Sequence, residues 1–570
     1  MLKQTPASHF RQRGVAMVLA LMIVVNLGIL EAAFISRTIS GIQMSAVEKE
    51  HTKALYATIG GSNLALKMVN TLINGYLQTT ILSASPSGVA SDAKARVNSG
   101  DGIGWLVNAV RLNNTAVLTL NGEEASYAAS GSVGGVPYAY TITFTEKSDP
   151  VTITADKWDF PFAFRIECTG TQGTLKNKIA TSGDFTVRVQ KDNFAKFALY
   201  TNFQETPGGL QVWFTNRAAF YGPVHTNDRF NFAYNPAGTF GGLVTQAQST
   251  ARFYNNNNPV LSNNNANGNI DVPVFQNGFN RGVTPITLTA ATAESAMVTE
   301  AKNNNNYNNN GIYLPANGNA LSGGIYVKGD STISLSVNAQ DNAVYTITQG
   351  ASTRVVTVNA AANQTTLYNS AANTTTTYTG VPTGASKAGT LIYVNGNITS
   401  LAGTVQRDTE LTVASSNDIT ITNNIRYSDY SPGSGTPGNA NYVPPSASAA
   451  TNLLGIVSWN GDVNIANTAP DNIDIHGTIM AQSGVFQVDS YDNGDIKGVA
   501  TLLGGVITND YGAFGQFNST TGATVSGYGR NFIYDERMQA GSAPPYFPSL
   551  ATFIAFTNDI TDKLVWQGMN

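Results

Sequence analysis

Residues 15–30, VAMVLALMIVVNLGIL, form an uncharged run of sixteen residues directly behind three bases, Lys3, Arg11 and Arg13. As a helix this run spans about 24 Å, and its apolar continuation past Glu31 to Ile35 brings it to about 30 Å, the thickness of a bilayer core. A helix apolar on every side has no place on the surface of a soluble domain, and the basic flank predicts an N-terminus-inside orientation. An ordinary secretory signal would place small residues for cleavage after the apolar run, and Leu30-Glu31-Ala32 fits that poorly. From Ser36 to about Thr79, Ile39, Ile42, Ala46, Leu55, Leu64, Leu66, Val69 and Ile73 recur at helical spacing, which predicts that the anchor continues as a long amphipathic helix. Gly60-Gly61 within it either bends the helix or allows a tight packing contact.

The segment Arg11-Gln12-Arg13-Gly14-Val15-Ala16-Met17-Val18-Leu19 resembles the start of type IV prepilins, and RGVAMVLALMIV more narrowly that of PilX-type minor pilins. The resemblance implies cleavage by a prepilin peptidase between Gly14 and Val15, methylation of the new N-terminus, and filament-assembly positions at Leu19, Asn26 and Glu31. Leu19 stands where major pilins carry a glutamate thought to pair with the preceding subunit's N-terminus, so the resemblance implies a subunit at the filament tip. The stretch Ala54–Leu66 resembles a PilX-type helix segment, with Thr58 in place of the family's usual Glu. The bland alternative for the whole segment is a plain membrane anchor.

Ser83–Asp101 is small and polar and reads as a linker. Beyond it, alternation in Tyr138-Tyr140-Ile142-Phe144, Phe162-Phe164-Ile166-Cys168 and Phe185-Val187-Val189 predicts strands with one covered face, which the long helix can supply. Phe164–Gly173 with Phe185–Val189 resembles the hairpin of PilX-type globular domains; Cys168, the one cysteine, reads as a small buried residue. After Phe194 a pattern recurs of apolar strand, turn ending in Asn, Gly or Asp, and a second strand, as in Val394-Asn395-Gly396-Asn397-Ile398 and Trp459-Asn460-Gly461-Asp462-Val463. The marks Gly396, Asn417, Gly461, Gly484 and Gly505 stand 21, 44, 23 and 21 residues apart, a spacing in the solenoid range. The 44-residue step, which contains the loop Ser431–Ser448, is two coils or one coil with an insertion. Asn255–Asn258, Asn263–Asn265 and Asn303–Asn306 read as surface loops.

The expected fold is therefore α+β for a pilin-like module, a long N-terminal helix on an antiparallel sheet, followed by a mainly-β domain, a β-solenoid. Its expected segments are a leader at 1–14, the transmembrane and amphipathic helix at 15–80, a β-sheet domain at 81–193, the solenoid at 194–550 and a tail at 551–570. Tyr221–Asn227, Tyr534–Arg537 and Pro544–Pro548 resemble the solenoid region that accompanies prepilin anchors in some bacterial envelope proteins, and the plan is similar to that of ComZ-type competence minor pilins.

No catalytic signature emerges. The chain has four histidines without metal-binding spacing, no Gly-x-Ser-x-Gly motif and no phosphate loop, so no catalytic residue, cofactor or metal site is expected. His225 and His476 read as hydrogen-bonded structural positions. Asp471, Asp474, Asp489, Asp492 and Asp495 are candidate acid and base pairs of a solenoid carbohydrate hydrolase or lyase, while Asp489–Asp495 reads first as a polar turn and second as an incomplete calcium loop. Removal of residues 1–14 leaves 29 bases against 36 acids, a net charge of −7 that offers no global basic field. Trp213, Phe214, Tyr221, Phe230 and Phe232 could stack on bases or sugars, but core packing is the default for them.

The resemblance thus implies a non-enzymatic minor pilin that presents a solenoid for adhesion or for DNA capture in natural transformation. Its implied partners are other pilins, the pilus assembly machinery, the prepilin peptidase, the inner membrane through residues 15–35, and DNA or surface polysaccharide. Its implied place is the bacterial inner membrane before assembly and the pilus or cell surface after it. The alternatives are an envelope-anchored solenoid outside any filament and a carbohydrate-active enzyme.

Overall fold

The computed structural model describes residues 10–569 except 155, 216–217, 234–237, 256–257, 266–270, 289–290, 431–449, 519–523, 540, 558–559 and 561–564. The leader residues 1–9 and the loop 431–448 therefore lie outside the described residues. The chain divides into two compact units, Met1–Gln190 with Ile554–Asn570, and Lys191–Phe553.

In the first unit, α1 runs unbroken from Phe10 to Asn70 and continues through a π-helical segment, Thr71–Leu77, into α2, Gln78–Ser83. It is continuous α-helix across Gly60-Gly61, and the tight packing contact, one of the two readings of that pair, is present. A Cβ on Gly61 would stand 2.6 Å from the Tyr138 ring and 2.8 Å from Cys168 Sγ, and one on Gly60 would stand 3.0 Å from Val133. The sheet answers in kind: a Cβ on Gly170 would stand 2.3 Å from the Ala54 carbonyl. Helix and sheet approach this closely only because side chains are missing from both surfaces.

The buried stripe of α1 is Ala54, Ala57, Thr58, Gly61, Ser62, Ala65 and Val69, continuing to Leu72 and Ile73. This corrects the sequence expectation, in which the larger apolar residues marked the covered face. Of those eight only Val69 and Ile73 are buried; Ile39, Ile42, Ala46 and Leu64 are exposed. From Ala54 to Ala65 small residues take the covered face because they permit close approach, while Ile59 and Leu64 remain outside. Thr58 satisfies the contact chemically: its Oγ1 accepts from Gly170 N at 2.9 Å and lies 2.8 Å from the Ala54 carbonyl.

The sheet beneath α1 is antiparallel in the order 119–121, 124–133, 136–146, 157–172, 175–193, and the strand Ser549–Thr557 adds beyond the last. Its register places Phe144 opposite Phe164, Ile142 opposite Ile166 and Phe162 opposite Phe185, so the alternating residues form one buried face. The expected linker, Ser83–Asp101, instead holds a helix, α3, Pro86–Ser99, and a second helix, α4, Gly102–Ala109, follows it directly. The Ser85 hydroxyl caps α3 by accepting from Gly88 N, Pro86 starts it and Gly100, at φ 65°, ends it. The turn chemistry read as a linker was helix punctuation. Trp105 of α4 then stacks on Phe160 with centroids 3.9 Å apart.

In the second unit, short strands pair in parallel into long stacks. An apolar column runs in register from Ile325 through Ile392, Val413, Ile456, Ile479, Val506, Leu199, Val224 and Val244 to Phe279. Sequence order and spatial order differ. The chain enters mid-sheet at Leu199–Thr201 and builds outward through 224–226 and 244–246 to 279–281. It then crosses the face with a segment that includes α5, Ala291–Lys302, and resumes on the far edge at Gly311–Tyr313, with Ile325–Lys328 paired beside it. From there it builds back until Val506–Thr508 pairs with Leu199–Thr201. The crossing segment is held along the sheet: Tyr200 donates to the Ile286 carbonyl at 2.5 Å and Tyr393 to Glu294 at 2.8 Å.

Val413 pairs directly with Ile456, so the 44-residue step is one layer with an insertion. Gly505 belongs to a different column from Gly484, since it precedes the strand 506–508 and meets Phe197, whereas Gly484 stacks on Gly461 after its strand. The recurring Asn and Asp turn residues have a common task. Asp330 Oδ1 accepts from Asn397 N, Asn397 Oδ1 from Asp418 N, Asp418 Oδ1 from Asp462 N and Asp462 Oδ1 from Val485 N, at 2.7 to 3.2 Å. Each turn side chain thus satisfies the backbone of the next layer, which is why the pattern recurs. A second sheet pairs Ser331–Val337 in parallel with Ile398–Val405, and between 331 and 379 antiparallel strands extend it sideways.

The glycine contacts give opposite expectations along one helix. Gly61→Val should destabilise the chain by about 2 to 4 kcal/mol, read by denaturation of the detergent-solubilised protein. Gly41→Ala, with nothing within 4 Å of its Cβ position, should leave stability unchanged or raise it by up to about 1 kcal/mol.

Candidate functional site

The surface of the first unit that most needs a partner is the N-terminal half of α1. The helix is long and apolar enough to cross a membrane, and the most apolar stretch is wholly unburied. Met17, Leu21, Val24, Leu27, Ile29 and Phe34 are each more than half exposed. Apolar surface on that scale must be covered by lipid or by other helices. Gly14 and Val15 lie in this helix, and Leu19, Asn26 and Glu31 are exposed along it. These positions are brought together only as points on one helix, with no convergent pocket among them.

The same helix changes character toward its C-terminal half, where the small-residue stripe covers the sheet. Ser62 Oγ lies 3.1 Å from Thr181 Oγ1, so the stripe's hydroxyls are paired within the interface. Cys168 is buried there and its thiol is pushed up to about 11 by burial, which leaves it protonated and unreactive at neutral pH.

In the second unit the two buried histidines are hydrogen-bonded within the fold. His225 Nε2 donates to Asn227 Oδ1 at 2.9 Å, and its Nδ1 meets the Thr245 hydroxyl at 2.8 Å. The tautomer follows from Asn227, whose Nδ2 is spent on Tyr200, Asn202 and the Ile286 carbonyl, leaving its oxygen to accept. Burial lowers the His225 imidazole to about 4. His476 Nδ1 accepts from Tyr427 N at 3.0 Å, and burial, aided by Arg426, lowers it to about 3. Asn227 continues through Asn202 to Asn509 as a chain of side-chain amides that lines a cavity of about 560 Å³ with Thr287, Gln482 and Ser483.

Two of the candidate carboxylates are held in ion pairs. Asp471 pairs with Lys497 at 3.1 Å and Asp474 with Arg426 at 2.6 Å. Asp489–Asp495 is a turn closed by Asn493 N on the Ser490 carbonyl. Burial, with neighbouring carboxylates, raises Asp462 and Asp489 above the ordinary range. Among the described residues no group of three or more His, Cys, Asp or Glu could hold a metal ion. Phe214, Phe230 and Phe232 are core, Trp213 packs edge-on against Tyr254, and Tyr221 is exposed.

Two separate sequence motifs meet here: a Cβ on Gly222 would stand 2.4 Å from the Tyr534 ring, whose hydroxyl donates to the Lys196 carbonyl at 2.8 Å. Asp535, buried, holds Arg537 through two oxygens, and Arg537 in turn donates to the Ala450 and Asn452 carbonyls. These residues clasp distant parts of the chain.

A family model described as "Domain of unknown function (DUF4900)" matches residues 159–249, less than half of the chain. No curated protein matches it. Among solved structures, the crystal structure of the competence-associated pilin ComZ from Thermus thermophilus is similar over 86% of this chain and 98% of its own, at 12% identity and a TM-score of 0.31. The first match is too short and the second superposes too poorly to assign the chain to a family.

The two histidines set a pH dependence. A base held below its unfolded value refuses the proton that the unfolded chain accepts below about 6.5, so stability is full above that pH and lost as pH falls toward 4 and 3. His225 alone should account for about 3 kcal/mol of that loss. Thermal unfolding midpoints from pH 7.5 to 4 should fall, and His225→Gln should flatten the slope.

Proposed function

We propose that this chain is a non-catalytic minor pilin of a type IV pilus, placed at the tip, and that it presents its larger unit as a β-solenoid for adhesion or for DNA capture during uptake. The observation that carries this reading is the division of α1 into an exposed apolar half and a sheet-covering half. Such a helix serves first as an inner-membrane anchor and then, without refolding, as a strut packed among other pilin helices. Leu19 suits the tip, because an apolar group at that position asks for no charged partner on a subunit ahead.

The larger unit is read as a solenoid from its parallel stacks and from the turn side chains that link one layer to the next. A stack of this kind gives a rigid, extended surface, suited to display. The absence of a catalytic role is part of the same proposal: the histidines and the Asp471 and Asp474 carboxylates are engaged in holding the fold.

The N-terminus of the mature protein tests the reading. Mass spectrometry of the chain from its native host should give N-methyl-Val15 as the first residue. An intact Met1, or cleavage beyond Ile35, would exclude a processed pilin.

A further inference from the structure

A second cavity, of about 320 Å³, opens between the edge strand Gly311–Tyr313 and one face of the antiparallel strands 352–379. One wall is aromatic. Tyr307 and Tyr313 stack with centroids 4.0 Å apart, and the stack continues from Tyr307 to Tyr326 at 5.7 Å. Gly311 makes room for this wall, since a Cβ there would stand 2.9 Å from the Tyr313 ring, and Tyr313 donates to the Asn309 carbonyl at 2.8 Å. Lys328 Nζ pins the preceding loop through the Tyr307 and Asn308 carbonyls, so its ammonium is already committed.

The other wall is polar. Cross-strand register aligns Arg354 with Asn369 and Asn369 with Thr374, while Leu367 aligns with Thr376 one row along. Arg354 Nη1 bonds the Asn369 amide oxygen and, at 3.1 Å, the Ser352 hydroxyl. Both partners are neutral, and none of the described ion pairs includes Arg354. A half-buried guanidinium therefore faces the cleft with its charge unanswered and with donors to spare.

We propose that this cleft binds a carboxylate-bearing sugar unit of an acidic polysaccharide. The guanidinium fork takes the carboxylate, the Thr374 and Thr376 hydroxyls and the tyrosine phenols take ring hydroxyls, and the aromatic wall packs against the sugar's C–H surface. The volume lies at the lower end of small-ligand sites and holds one or two rings. A nucleic acid fits less well, because a phosphate backbone asks for a row of cations and the cleft lining has one. The site belongs to the larger unit by itself and holds whether or not the chain enters a filament. It gives the display reading a ligand, and the N-terminal mass and the titration below fail independently.

Titration calorimetry of the full detergent-solubilised chain with tetragalacturonic acid tests the site, alongside neutral galactotetraose and a deoxythymidine octamer. Binding of the acidic tetramer at least tenfold tighter than the neutral one, weakened tenfold or more by Arg354→Gln, is the expected result. Paired substitution of the exposed Thr374 and Thr376 by Val should weaken it severalfold with the unfolding midpoint unchanged, a check that does not depend on how Arg354→Gln folds. No heat with the acidic tetramer, equal affinity for the neutral one, tighter binding of the octamer, or affinity unmoved in both variants would each overturn the proposal.

Discussion

The pairing of Leu199–Thr201 with Val506–Thr508 joins residues about three hundred positions apart in the chain, and the order of the larger unit follows from it. The first strand of that unit is placed in mid-sheet, so both of its edges need partners. One is met by the next strand in sequence, Val224–Thr226; the other waits for almost the last. The chain must therefore travel outward, cross the sheet face and return, and the crossing segment becomes the cover over Tyr200, Asn227 and Tyr393. Without that closure the apolar column from Ile325 to Phe279 would be two separate stacks with exposed ends. Burial of each Ile or Val in it contributes about 1.5 to 3 kcal/mol, and the closure makes that contribution continuous.

The smaller unit rests on a different constraint, the distance of closest approach between a helix and a sheet. Gly61 and Gly170 remove side chains from facing surfaces, and Thr58 fills the gap with a hydroxyl that bonds both sides. A glutamate at position 58 would place a carboxylate in this fully buried contact, so the threonine and the glycines form one consistent solution. The N-terminal half of the same helix leaves its large apolar residues outside, where a bilayer or other helices can cover them.

Polar groups inside the larger unit are used to connect layers. The Asn and Asp side chains of the turns accept from the next layer's backbone, the amides of Asn227, Asn202 and Asn509 link three adjacent strands, and the buried histidines are neutral donors and acceptors. Arg537 with Asp535 closes the same kind of circuit near the end of the unit. Arg354 differs from these groups because its partners leave its charge unmatched, and it stands at an opening.

The sequence alone determined the long apolar helix, the strands and the layer pattern, because each is written in local order. An uncharged run of membrane length, alternation such as Phe162-Phe164-Ile166, and turns such as Asn460-Gly461-Asp462 carry their meaning within a few residues. It misjudged the covered face of α1, because hydrophobic size does not announce close packing, and it took Ser83–Asp101 for a linker when Ser85, Pro86 and Gly100 start and stop a helix there. The tyrosine and arginine cleft carried no sequence signal, since Tyr307, Tyr313, Arg354 and Thr374 come together only through strand register. Only the tertiary structure decided that the first and last strands of the larger unit are neighbours. Parallel pairing depends on which strand edges remain open after all the others have paired, and no local pattern records that.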